Sequence, residues 1–109
     1  MVSGSSIKEV DVFRALGDPI RLEIIQRLSQ FTNNTISSVV GGLDISRQGA
    51  RKHIQVLADA NVISLTPDGR QTHLTLNQEA LDQSRKFIAN LENEWDVRLE
   101  ALKTLVEDE

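Results

Sequence analysis

Between Ser46 and Leu57 the chain carries Arg47, Gln48, Arg51, Lys52 and Gln55 and no acidic residue. Wound as an α-helix at about 100° per residue, these five share one arc of roughly 140° with Asp59, while Gly49, Ala50, His53, Ile54, Val56, Leu57 and Ala60 fall on the opposite side. One face therefore suits a core, and the other is a row of guanidinium, amide and ammonium groups. Arginine and lysine can bond the O6 and N7 edge of guanine, glutamine can pair with the N6 and N7 edge of adenine, and the cations also neutralise phosphates. A solvated helix face can have the same composition, so the neighbouring segments decide what the row is for.

Those segments form a recognisable frame. After the row, Val62-Ile63-Ser64-Leu65-Thr66 and Gln71-Thr72-His73-Leu74-Thr75-Leu76 are two alternating β segments joined by Pro67-Asp68-Gly69-Arg70, in which Asp68-Gly69 is expected to make the bend. Arg70 at the tip would reach the phosphate backbone or the adjacent minor groove. Before the row, Ile7 to Leu16 suits a short helix with apolar residues at Val10, Phe13 and Leu16, ended by Gly17. Asp18 is an N-cap and Pro19 the first position of a second helix, whose stripe is Ile20, Ile24, Ile25 and Leu28. Thr32-Asn33-Asn34 is a loop, Thr35 caps a short helix through Val40, Gly41-Gly42 stops it, and Ser46 caps the helix from Arg47 to about Ala60.

The implied fold is mainly α with a small β-hairpin, a winged helix-turn-helix. In that frame the polar row points to double-stranded DNA, with Ser46, Arg47, Gln48, Arg51, Lys52, Gln55 and Arg70 as the contact residues. His53, on the apolar side of its helix, is expected to be a hydrogen-bonded structural histidine, and His73 stands alone on a strand.

From Asn77 onward there is neither proline nor glycine, so residues 78 to about 106 can form a single helix. Leu81, Ile88, Trp95 and Leu102 recur every seven residues, with Phe87, Leu91, Leu99, Leu105 and Val106 beside them. A helix of about 28 residues spans roughly 42 Å, more than so small a domain can cover by itself. A second copy of the same helix is the simplest cover. The expected seam of a homodimer comprises Val10, Phe13, Leu81, Ile88, Leu91, Trp95, Leu99, Leu102 and Leu105.

With 109 residues the chain has room for one domain: a flexible tail at 1–6, the winged helix-turn-helix at 7–76, and the dimerisation helix at 77–109. Hydrophobic residues at 39% and charged residues at 26% match globular proteins and argue against a disordered or membrane chain. No apolar run suits a membrane span, and the first residues lack the pattern of a secretory signal, so the expected location is the cytoplasm. With no cysteine, thiolate metal sites and cysteine nucleophiles are excluded. No metal or other cofactor is expected, and there is no phosphate loop, nucleophile motif or paired-carboxylate pocket to suggest an enzyme. The net charge of -4 runs against phosphate binding, yet it is concentrated in residues 77–109, which hold nine acidic and four basic residues. That acidity leaves a second reading open, a winged-helix module that binds a protein partner and not DNA.

Two stretches resemble the arsenic-repressor-like (ArsR/SmtB) family of bacterial winged-helix regulators. Phe13-Arg14-Ala15-Leu16-Gly17-Asp18-Pro19-Ile20-Arg21-Leu22-Glu23-Ile24-Ile25 is similar to its opening pattern FxALxDPxRLxIL. Ser46 to Leu57, followed by Ala60-Asn61-Val62-Ile63, is similar to its recognition segment SRQAxxKHLxVLxxAGLV. The resemblance covers nearly everything from Val12 to Val106 and implies a homodimer whose terminal helices form the interface. Each recognition helix would then enter one half-site of a roughly palindromic operator, as in a repressor. Sensing members place cysteines where this chain has Ile36-Ser37-Ser38-Val39-Val40, or carboxylates and histidines on a last helix that here has no histidine, so the resemblance is to the metal-independent subgroup. An effector would then be a small molecule or a protein. Asn61 stands where the family commonly has glycine.

Overall fold

The computed structural model describes residues 4–30 and 34–107, with side chains from residue 9 onward. Its elements are α1 (Gly4–Leu16), α2 (Pro19–Gln30), α3 (Ile36–Val40), α4 (Arg47–Asp59), β1 (Ile63–Asp68), β2 (Gln71–Leu76) and α5 (Gln78–Glu107). Helix α1 begins about one turn before the expected Ile7, since Ser5 and Ser6 do not forbid helical geometry. Residues 1–3 of the expected tail lie outside the described residues. Among the described residues no helix is long and apolar enough to cross a membrane.

Helices α2 to α5 each start on a side chain that replaces a missing backbone partner. Asp18 Oδ1 accepts from the N–H of Ile20 at 2.8 Å and of Arg21 at 3.2 Å. Thr35 and Ser38 form a reciprocal capping box, Ser46 Oγ accepts from the Gly49 N–H at 3.0 Å, and Asn77 Oδ1 accepts from the Ala80 N–H at 3.5 Å. Helix α4 ends in a Schellman motif: the Val62 N–H reaches the Leu57 carbonyl, the Asn61 N–H reaches that of Ala58, and Asn61 sits at φ 61°. Asn61 therefore fills the left-handed position for which glycine is the usual choice, and the chain leaves α4 directly into β1.

The core lies where α1, α2, α3, α4 and the hairpin converge on Val12, Ala15, Ile24, Leu28, Val39, Ile54, Leu57, Val62, Ile63 and Leu74. On α1 the buried face is turned by comparison with the expected stripe. Val12 and Ala15 are inside, Phe13 is half-buried, and Val10 is exposed, because α1 packs against α2 and α4 on one flank and α5 on another.

Strands β1 and β2 pair antiparallel from Ile63 opposite Leu76 to Asp68 opposite Gln71. The loop is thus Gly69-Arg70, and the expected bend at Asp68-Gly69 moves on by one residue. Gly69 has φ 63° while Arg70 does not have a positive φ, the pattern of a two-residue turn with glycine at its first central position. The second edge of β2 is tied to the chain before α3, where Leu74 N–H donates to Asn34 O at 2.9 Å and Thr35 bridges His73.

Helix α5 rests on the domain only at its start. Leu81 packs against the core, Ser84 is buried, and the Phe87 ring lies 5.9 Å from that of Phe13. From Ile88 to Glu107 every residue is exposed, and the projecting helix stretches the molecule to 69 Å in one direction against 28 and 23 Å in the others.

The junction after α4 yields a stability prediction. Asn61→Val should cost about 1–2 kcal/mol, because a β-branched residue is forced into the left-handed region, whereas Asn61→Gly should stay within about 0.5 kcal/mol of wild type. Urea unfolding of the two variants measures the difference.

Candidate nucleic-acid interface

Helix α4 is held by its inner face. Ala50, Ile54 and Leu57 are buried, and half-buried His53 adds a polar anchor. Arg21 Nη1 lies 3.1 Å from His53 Nδ1, and because a guanidinium only donates, the imidazole nitrogen accepts and its proton sits on Nε2. The same guanidinium donates through Nε to the Ala15 carbonyl and through Nη2 to that of Arg14, at the end of α1. Asp18, whose carboxylate caps α2, lies 3.9 Å from His53 Nδ1. Hydrogen bonding from the Arg21 backbone N–H is the main cause holding the Asp18 carboxyl below its ordinary pKa of 3.8. Burial opposes it, while the Ile20 N–H and the charge of Arg21 reinforce it, as does His53 when its ring is protonated. His53 is thus hydrogen-bonded and structural.

The outer face presents Arg47, Gln48, Arg51, Lys52 and Gln55, all exposed. Among the described residues Arg47, Arg51 and Lys52 have no hydrogen bond or ion pair, so nothing within the protomer competes for their charges. Gln55 differs, since its Nε2 donates to Asp59 Oδ1 at 2.8 Å, one turn on. Ser46 uses its hydroxyl oxygen as the cap of α4, and the hydroxyl hydrogen stays available to an acceptor. Val56, expected on the apolar side, is 39% exposed at its margin.

Arg70 stands apart from that row, exposed at the second loop position of the wing and likewise without a partner among the described residues. The nearby Asp68 is engaged. Its Oδ2 lies 3.2 Å from His73 Nε2, so His73 is not alone: it faces Thr66 across the ladder, and Asp68 is its diagonal neighbour on the same face.

The expected dimer residues divide. Leu81 and Phe13 are half-buried within the protomer, whereas Val10, Ile88, Leu91, Trp95, Leu99, Leu102 and Leu105 are exposed, Trp95 at 60%. Two positions on α2 matter more than its apolar stripe implies. Arg21 sits within the quoted DPxRL pattern, which marks the position without disclosing its bonds. Arg27 Nη1 donates to the carbonyls of Val39 at 2.8 Å and Gly41 at 2.7 Å, closing α3, and nothing in local spacing announces that reach. Among the described residues no group of three or more histidines and carboxylates is placed to hold a metal ion.

No protein-family model matches the chain. Over 76 residues it is 33% identical to the uncharacterized HTH-type transcriptional regulator YuzN of Bacillus subtilis, a match covering 64% of this chain and 83% of that protein. It is also 29% identical over 86 residues to the transcriptional repressor SdpR of the same organism, covering 79% of this chain and 94% of the relative. Among solved structures, an ArsR-like transcriptional regulator from Rhodococcus sp. RHA1 matches with a TM-score of 0.83 at 28% identity, covering 94% of this chain and 96% of that one.

The capping carboxylate beneath α4 makes a pH-dependent prediction. A carboxyl whose pKa falls below 3.8 on folding stabilises the protein above that value and loses its contribution as the pH drops through the folded pKa. Asp18→Asn should therefore lower the melting temperature at neutral pH, and the gap from wild type should close on acidification. Thermal melts from about pH 7 to about pH 2.5 read it out.

Proposed function

Since the chain belongs to the ArsR family of winged helix-turn-helix transcription regulators, we propose that it is a homodimeric repressor that binds a palindromic operator through α4 and the wing. The carrying observation is the row on α4, where Arg47, Arg51 and Lys52 are exposed and unpaired among the described residues, on a helix whose opposite face is locked into the core. In this reading Arg47, Gln48, Arg51 and Gln55 read base edges in the major groove, Ser46 and Lys52 hold phosphates at its margin, and Arg70 grips the backbone beside it. Gln55 must exchange Asp59 for a base to do so. The protein works without a metal, catalyses no reaction, and acts in the cytoplasm, where bacterial DNA lies.

The dimer follows from the unpartnered length of α5. Ile88, Leu91, Trp95, Leu99, Leu102 and Leu105 are each more than two-fifths exposed in the protomer. Covering a large apolar side chain contributes about 1.5–3 kcal/mol. Two copies of α5 laid together give every one of these residues a partner, with Val10 at the edge of the seam. Leu81 and Phe13, already packed inside the protomer, would brace that seam from beneath. A two-fold dimer then presents two copies of α4 to half-sites about 10–10.5 base pairs apart, or multiples of that.

Both halves of the reading are measurable. Arg51→Ala should weaken operator binding by about 1–3 kcal/mol and relax base preference. Arg70→Ala should weaken all duplexes alike and flatten the salt slope by about one unit. Fluorescence polarisation against the promoter of its own gene at two ionic strengths separates these outcomes. Binding to no duplex at either ionic strength would favour the module that binds a protein partner, which the net charge of -4 supports. For the dimer, sedimentation equilibrium at micromolar concentration should give two copies for wild type and a monomer for Leu102→Glu. Emission of Trp95, the single tryptophan in a chain without tyrosine, should shift to the red in that variant.

A further inference from the structure

A cleft of about 240 Å³ opens where α1, the turn after α4 and the first turns of α5 meet. Among the described residues its charged lining is of one sign: Glu9 and Asp11 from α1, Asp59 from α4 and Glu79 from α5, with no lysine, arginine or histidine. Surface carboxylates are ordinary, but Glu9 is only 7% exposed, and among the described residues its side chain has no hydrogen bond or ion pair. Its oxygens are not shut off from solvent, so the carboxylate stays open to a cation that enters the cleft. Position 9 also precedes Val12 by three residues and so falls on the core side of α1, where a carboxylate has no packing purpose.

We propose that this cleft binds a small organic ammonium ion. Glu9 accepts its N–H donors, while Asp11, Asp59 and Glu79 draw the charge in. The volume equals about eight waters at ~30 Å³ each and falls below the ~300 Å³ at which pockets for drug-sized ligands begin, so a few carbons with one or two amino groups fit. A metal ion fits less well, because among the described residues no three histidines or carboxylates converge to coordinate one. An ammonium needs only acceptors at hydrogen-bond distance, and Ser84 and Gln83 in the same lining add neutral ones. Among the lining residues only Asp59 touches the outward row of α4, through Gln55, and none belongs to the α5 seam, so the proposal does not rest on the DNA-binding reading. Its occupant would touch the end of the recognition helix, α1 and the base of the dimer helix at once.

Calorimetric titration of the full chain with 1,4-diaminobutane tests this, with 1,4-butanediol and ionic-strength-matched sodium chloride as controls. The diamine should bind saturably at one site per protomer and shift amide resonances in 9–12, 59–61 and 79–84, and the diol should not. Glu9→Gln, which keeps the shape, should weaken binding roughly tenfold or more, as expected for losing a charge-assisted hydrogen bond, while Glu94→Gln on exposed α5 should leave it unchanged. Asp11→Asn, at an exposed position, should give a smaller loss and provides the reading if Glu9→Gln does not fold. Heats reproduced by the diol or by sodium chloride overturn the proposal. So do equally tight binding of magnesium chloride with the same shifts, and affinity indifferent to both substitutions. Failure to bind DNA leaves it standing.

Discussion

One guanidinium, that of Arg21, sits where three helices meet, and the orientation of the remaining parts follows from it. It donates to the last carbonyls of α1 and to the imidazole of α4, while the backbone N–H of the same residue donates to the carboxylate that starts α2. Hydrogen bonds from a charged donor are about twice as strong as neutral ones, and this group spreads several over separate elements. Helix–helix packing by apolar side chains alone tolerates sliding and rotation. A polar junction with fixed directions does not. The rotation of α4 about its own axis, which decides whether its cations face solvent or core, is set there together with the burial of Ala50, Ile54 and Leu57.

Arg27 repeats the device at smaller scale, closing α3 from α2. Helix α2 thus contributes more than an apolar stripe: its two arginines carry the orientation of its neighbours on either side. The wing is then placed by the shortest possible connection. Asn61 turns the chain in a single left-handed residue, and Val62 and Ile63 enter the core at once. The base of the hairpin is therefore anchored in the same core as α4, and its tip is exposed.

The starts of α2 to α5 were legible in the sequence, since Asp18, Thr35, Ser46 and Asn77 cap by chemistry that acts within three or four residues, whereas α1 began a turn early. The winged helix-turn-helix order and the outward row of α4 were legible for the same reason: helical periodicity is local. What the sequence hid depends on distance along the chain. The centre of the wing turn moved by one residue because cross-strand pairing, and not the Asp-Gly pair, sets the register. His73 acquired a partner only once that register brought Asp68 diagonally beside it. The core face of α1 followed from what packs on either flank, so Val12 went in and Val10 stayed out. Glu9 showed nothing as a single letter, and its place in an acidic cleft appears only when the end of α4 and the start of α5 come beside it.

Helix α4 separates two jobs along its length with little overlap. The side chains that fill the core are Ala50, Ile54 and Leu57, and those aimed outward are Arg47, Gln48, Arg51, Lys52 and Gln55. Exchanges at exposed positions away from caps and networks commonly change stability by no more than about 0.5 kcal/mol. Over evolutionary time such a scaffold can be retargeted to new promoters one letter at a time while folding is left almost untouched. Ser46 is the exception, for there a residue proposed to meet the duplex also begins the helix, and drift at that position would meet two selective pressures together.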